Sequence, residues 1–321
     1  MTIRLTLALL GAVLPLAAQN VISARSGLIH HVEGDVRLDG ERVEVSAASF
    51  PSVKQRMELR TGEGRAEVLL NPGVFLRLGE NSAFLMIDDR LTNAVVEILE
   101  GTAVFEVNNE LKGGENAVTI IHRETSIDLR KGGLYRVSAD PAVLRVFEGE
   151  AQVQAGDQYL AVKKGRQLPL SGVMVAEKFE TKETDALDRW SRRRSEYFAM
   201  ANISGARSVR DSGMNWARSG WFFNPYFGMF TFIPQNGVFF NPYGFAFYSP
   251  RTVYRVFAAP VMLSAQPGFN SGMGRPVALA PGGRSGVISR APASVSAPTT
   301  GASGASSAPI SRQGAGGGRG R

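Results

Sequence analysis

The chain has no cysteine, only three histidines in 321 residues, and no acidic side chain after Asp211. The first absence excludes disulfides, thiolate metal sites, a cysteine nucleophile and lipid attachment through cysteine. The second leaves little room for imidazole chemistry, since His30 and His31 are neighbours and His122 stands alone in an apolar run. Adjacent strand residues point to opposite faces, so His30 and His31 cannot serve one site without a bulge. Surface or half-buried structural histidines are the expectation. There is no Gly-x-Ser-x-Gly elbow, GxGxxG or phosphate-binding loop, and Asp35, Asp39, Asp88 and Asp89 fit no calcium-loop spacing. The residues therefore point away from an enzyme and imply no cofactor or metal.

Long apolar runs are equally scarce. The one candidate, Leu5 to Leu16, is too short to span a bilayer, which takes ~20 residues. It follows Arg4 and precedes Leu16-Ala17-Ala18, so residues 1–18 read as a cleaved secretory signal. The mature protein is expected in the bacterial periplasm or outside the cell, without a transmembrane span. Charge is uneven. Nine of the 36 basic residues lie beyond Asp211, and the rest of the chain carries 27 against 29 acidic ones, a net of −2. The whole-chain value of +7 belongs to the C-terminal third.

What the chain does have is alternation. In Met57 to Gly79, Met57, Leu59 and Thr61 oppose Glu58 and Arg60; Ala66, Val68 and Leu70 oppose Arg65 and Glu67; and Val74, Leu76 and Leu78 flank Phe75 and Arg77. A period of two places one face on a core and the other towards water. Gly62-Glu63-Gly64 and Asn71-Pro72-Gly73 read as the turns between three strands. Similar strands at about 8 to 12-residue spacing continue to Leu170 without a helix-length pattern. The fold class expected is all-β, a meander or solenoid-like β-sandwich of many short strands. Val32-Glu33-Gly34, Leu99-Glu100-Gly101 and Phe147-Glu148-Gly149 echo one another at irregular spacing. The echo is either a trace of stacked units or simply good turn chemistry.

The succession LRTGEGRAEVLLNPGVFLRLGENSAF, VVEILEGTAVFEV, Gly132-Gly-x-Tyr-Arg-Val137, VLRVFEGEAQV and Gly165-Arg-Gln-Leu168 resembles the FecR-domain family over residues 27–170. The resemblance implies an all-β periplasmic module that engages other proteins. Iron-signalling members relay a signal from an outer-membrane transporter to a sigma factor, through an anti-sigma segment and one membrane span. The expectation here is a FecR-like protein without either.

The remainder divides further. Residues 27–172 are the FecR-like β domain and 173–211 a linker with an amphipathic helix. That helix begins near Asp185, capped from Thr181 or Thr184, and ends near Gly205. Its apolar stripe is Leu187, Trp190, Tyr197 and Ala201, with ion pairs Asp185–Arg189 and Asp188–Arg192. Arg192-Arg193-Arg194 reads as a solvated face rather than a nucleic-acid patch. Residues 212–258 hold sixteen of the 28 aromatic residues, and Phe222-Phe-Asn-Pro-Tyr226 recurs as Phe239-Phe-Asn-Pro-Tyr243. Each copy reads as a β-hairpin, with rings either packed together or exposed to a partner. Trp221, Tyr226, Tyr243 and Tyr248 are the candidate binding surface. Residues 259–321 are rich in Gly, Ala, Ser, Pro and Arg and read as a disordered tail. The function expected is a non-catalytic protein-binding, scaffold or sensing module of the envelope. The alternative is a structural or peptidoglycan-binding protein using the aromatic repeat. Partners are an envelope protein or glycan, with peripheral membrane association possible and nucleic acid excluded.

Overall fold

In the computed structural model of the chain, which describes residues 26–47, 49–108, 117–129 and 131–256, alternation becomes a long succession of strands. They are β1 (Leu28–Leu38), β2 (Glu41–Arg42), β3 (Glu58–Leu69), β4 (Val74–Leu78), β5 (Ala83–Arg90), β6 (Asn93–Glu100), β7 (Thr102–Val107) and β8 (Ala117–His122). There follow β9 (Thr125–Leu129), β10 (Gly133–Ala139), β11 (Ala142–Glu148), β12 (Glu150–Ala155), β13 (Gln158–Lys163), β14 (Arg166–Pro169) and β15 (Glu177–Lys178). The expected signal segment and tail lie outside the described residues.

All fifteen strands belong to one sheet, which divides at β3. One edge of β3 pairs along its length with β1; the other gives Glu58–Arg60 to β5 and Ala66–Leu69 to β4. From this hinge one arm runs β5-β6-β8-β9-β12-β13 and the other β4-β7-β10-β11-β14-β15. The chain crosses repeatedly from arm to arm, which is the solenoid-like winding. Inward residues of both arms share one core, including Leu59, Val68, Leu76, Phe84, Val96, Phe105, Ile120, Ile127, Val137 and Val146.

The Glu-Gly echo marks a corner of the chain at two of its three sites. Gly101 joins β6 to β7 and Gly149 joins β11 to β12, each as a one-residue corner between the arms. Gly149 has φ +91°, and a Cβ there would lie 2.3 Å from the Tyr135 hydroxyl, so only glycine fits. The expected turn at Gly62-Glu63-Gly64 is absent: β3 runs straight through it. Gly64 instead permits close approach of β1, because a Cβ there would meet the Asp35 and Glu33 carbonyl oxygens at 2.6 Å.

Beyond the sheet, α1 spans Ala186–Asp211. Asp185 is its N-cap, and its side chain and that of Asp188 accept from each other's backbone N–H in a capping box. The expected end near Gly205 is corrected to Asp211. Gly205 lies within the helix, against Phe222, Thr231 and Ile233, where a larger side chain would hold the next layer away. Leu187, Trp190 and Ala201 are buried, but Tyr197 points outward and Phe198 takes its place. The expected pairs with Arg189 and Arg192 do not form either. Arg136 of β10 takes both carboxylates, at 2.5 Å from Asp185 and 2.9 Å from Asp188.

Each copy of the aromatic repeat forms a hairpin: β16 (Gly220–Asn224) with β17 (Met229–Ile233), and β18 (Val238–Phe240) with β19 (Ala246–Tyr248). Among the described residues no helix is long and apolar enough to cross a membrane.

Candidate functional site

Strands β3, β4 and β7 are adjacent, and where β3 runs beside β4 their second faces are buried. Inward, Val68, Leu76 and Phe105 enter the shared core. Outward, Leu69 and Phe75 begin a second apolar cluster with Phe198, Trp221, Met229, Phe232 and Phe247. Among these outward residues stand three charges, Glu67, Arg77 and Glu106, all with no exposed surface. The expectation that Glu67 and Arg77 face solvent is thus corrected, because α1 and the two hairpins cover them.

The covering layer supplies their partners. Glu67 lies directly across the ladder from Arg77, whose Nε donates to Oε2 at 2.9 Å, while Arg77 Nη1 donates to Glu106 Oε2 at 2.7 Å. Arg194 of α1 donates to Glu67 Oε1 at 2.8 Å, and so does His30 Nδ1 at 3.0 Å. Glu106 Oε1 accepts from Ser195 at 3.0 Å and from Asn241 at 2.8 Å. Every carboxylate oxygen is occupied, and the two glutamates balance the two arginines. Burying such charges without partners would be prohibitive; with them the seam holds. Arg194 therefore departs from the solvated face expected for Arg192-Arg193-Arg194.

Electrostatic directions follow from this arrangement. Burial alone would raise the Glu67 carboxyl, but Arg194, Arg77 and the His30 N–H hold it well below the usual carboxylate range. Burial acts to lower the Arg77 value, yet Glu106 and Glu67 raise it above that of a free guanidinium. His30 is lowered, chiefly by burial. The Phe230 N–H donates to His30 Nε2 at 3.0 Å, which assigns the proton to Nδ1 and keeps the ring neutral. His30 resembles half of a catalytic dyad with Glu67. Its second nitrogen is capped by backbone, however, and Ser195 is bonded to Glu106 instead. The seam is a fastening. His30 is buried rather than half-buried, His122 is buried with Nδ1 2.9 Å from the Ile98 carbonyl, and His31 pairs with Glu33 near the surface.

The repeat explains itself through its two asparagines. Asn224 Oδ1 accepts from the Tyr226 N–H, and its Nδ2 donates to the Ala201 carbonyl. Asn241 Oδ1 accepts from the Phe245 N–H while its Nδ2 reaches Glu106. Each closes its own turn with one end and grips the helix or seam with the other. Asn202 of α1 ties both hairpins, donating to the Phe232 and Tyr248 carbonyls and accepting from the Tyr248 N–H.

The four aromatic residues expected to form a surface are dispersed. Trp221 is 3% exposed, edge-on to Phe75 at 5.2 Å. The Tyr243 hydroxyl is buried, and burial raises it above an ordinary phenol. Tyr248 is half-buried, and Tyr226 alone stands clear, at 87%. No shared face remains. The seam escaped sequence reading, although the apolar Leu69 and Phe75 on a nominally polar face signalled a covered strand.

At the far end of the first arm the outward face stays open. Ser126 and Asp128 of β9, Gln152 and Gln154 of β12 and Tyr159 of β13 line a groove of about 500 Å³ with Lys131 and Glu150. Tyr159 is 73% exposed, and among the described residues β13 pairs only with β12.

Residues 57–152 match the family model described as FecR protein, so the chain carries a FecR domain. Two crystal structures described as "a putative anti-sigma factor" from Parabacteroides distasonis ATCC 8503, at 1.65 and 2.50 Å, are similar to part of the chain. Identities are 16% and 17%, each with a TM-score of 0.34 over 39% of this chain. The match spans 61% of those structures' length. No curated protein matches the chain.

Proposed function

We propose that the protein is an exported, non-catalytic FecR-type module of the bacterial envelope, which binds a protein partner along the open end of its sheet. The observation carrying this reading is how differently the two candidate surfaces are used. Most rings of the aromatic repeat are consumed in fastening α1 and the hairpins to β3 and β4. β13, by contrast, is an edge strand among the described residues, with the exposed Tyr159 and a polar groove beside it. An extended segment added to such an edge gains backbone hydrogen bonds, while neighbouring pockets read its side chains. Export rests on residues 1–18, and the family supports an envelope setting.

A photo-crosslinking residue at Tyr159, introduced into the protein in its native host, should capture one defined protein, and the same residue at Tyr226 should not. Capture at Tyr226 alone would remove the proposal. The second reading, a structural or glycan-binding role for the repeat, is favoured by exposed Tyr226 and by Phe240 at 60% exposure. Retention on purified peptidoglycan that is lost in Tyr226→Ala and kept in Tyr159→Ala would select it.

A further inference from the structure

The C-terminal end of α1 carries a second surface, opposite in charge character to the sheet. Arg210, Met214, Trp216, Gln235, Arg251 and Tyr254 line a cleft of about 290 Å³. Arg255 stacks on Tyr254, its guanidinium 5.7 Å from the ring centre, and its Nε donates to the Tyr254 hydroxyl at 3.3 Å. Arg207 donates to the Val256 carbonyl at 2.9 Å, which brings a fourth arginine to the same end. From Arg207 to Val256 the sequence holds five arginines and one acid, Asp211. Asp211 is already paired with Arg210 at 2.8 Å. Beside these charges stand exposed apolar groups, with Met214 at 49% and Tyr254 at 58%.

We propose that this pole docks on an anionic phospholipid bilayer. Guanidinium groups form paired hydrogen bonds to phosphate, and rings with one polar end suit the boundary between headgroups and acyl chains. Charge complementarity favours lipid over an acidic protein for a second reason. The described chain ends at this cleft, at Val256, and the sequence beyond carries six further arginines and no acidic residue. Basic charge therefore continues along the sequence after the cleft. Several arginines spread in this way fit an extended sheet of negative charge better than a single acidic side chain.

Co-sedimentation of the full chain with vesicles tests this. Binding to vesicles containing about 30% phosphatidylglycerol should exceed binding to phosphatidylcholine alone by about tenfold, and should fall steeply from 0.1 to 1 M salt as screening shortens from ~10 to ~3 Å. The variant Arg218→Gln/Arg251→Gln/Arg255→Gln changes exposed side chains only, and should lose most of that preference while melting like the parent. Replacing the six later arginines by glutamine in the full chain should cost less. Tyr254→Ser, a second variant that leaves charge intact, should weaken binding about threefold, most visibly at high salt. Equal binding to both vesicle types overturns the proposal. So does an undiminished triple variant, or retention on soluble polyphosphate without vesicle binding.

Discussion

The outward face of β3, β4 and β7 and the outward face of β9, β12 and β13 begin from the same local pattern and end in opposite states. Both present polar or charged residues between core residues: Glu67, Arg77 and Glu106 on one, Ser126, Asp128, Gln152 and Gln154 on the other. The first face is sealed under α1 and two hairpins, with its charges paired. The second lies open beside Tyr159. Strand alternation thus decides which residues share a face, and only a distant part of the chain decides whether that face meets water. Glu67 and Arg194 are 127 residues apart, and Glu106 and Asn241 are separated by 135.

Substitutions on the two faces test how far they differ. The largest effect is expected for Arg77→Met, which leaves Oε2 of both buried carboxylates without a partner and Glu106 without a counter-charge, and should cost about 3–5 kcal/mol in denaturant unfolding. The matching change on the open face, Gln152→Ala, should stay within about 0.5 kcal/mol. Equal costs for the two would mean that the seam is not sealed in solution. Next is Asn202→Leu, which leaves the hairpins' backbone groups unpaired and should cost about 2–3 kcal/mol. Chemical crosslinking and limited proteolysis should then find the hairpins loosened from the sheet.

Acid should act on the covered face first. His30 has its folded value lowered below 6.5, so as pH falls through 6.5 the unfolded chain takes up a proton that the folded one refuses. Stability must decline on acidification, by at most about 1.4 kcal/mol per pH unit for one proton. Glu67, lowered below 4.5, contributes stability that is present above 4.5 and is lost as pH falls further. His30→Gln should flatten the decline that starts near 6.5 and leave the Glu67 part in place. A parent protein equally stable on both sides of 6.5 would contradict the neutral, buried assignment of His30. Smaller again is Asp185→Ala, which removes the α1 cap and should cost about 1 kcal/mol.

Much of the fold could be read beforehand, from particular residues. Val74, Leu76 and Leu78, or Ala151 and Val153, announce strands because their spacing leaves no other regular structure with a buried face. Asn71-Pro72-Gly73 marked a true turn, with the Val74 N–H bonded to the Asn71 carbonyl. Gly62 to Gly64 misled, since glycine serves close strand approach as well as reversal. The helix could be located together with Leu187, Trp190 and Ala201 of its buried face, while Tyr197 was misplaced. Ser195 and Asn202 are polar by type and buried by function, so an apolar stripe search passes over them. The Phe-Phe-Asn-Pro-Tyr repeat was visible as two hairpins. That its asparagines grip α1 and Glu106 was not, because nothing local distinguishes a turn asparagine whose amide faces solvent from one whose amide faces a carboxylate.

Side-chain type and local spacing settle which residues share a strand face, the turn at Asn71-Pro72-Gly73, the absence of thiol chemistry and the basic character of the C-terminal third. Tertiary structure alone decided that Trp221 and the Tyr243 hydroxyl are buried and Tyr226 is free, and that Glu67, Arg77 and Glu106 form a fastening rather than a surface. Burial and charge pairing depend on which distant segment arrives, and hydrophobic and electrostatic forces register that arrival only through space.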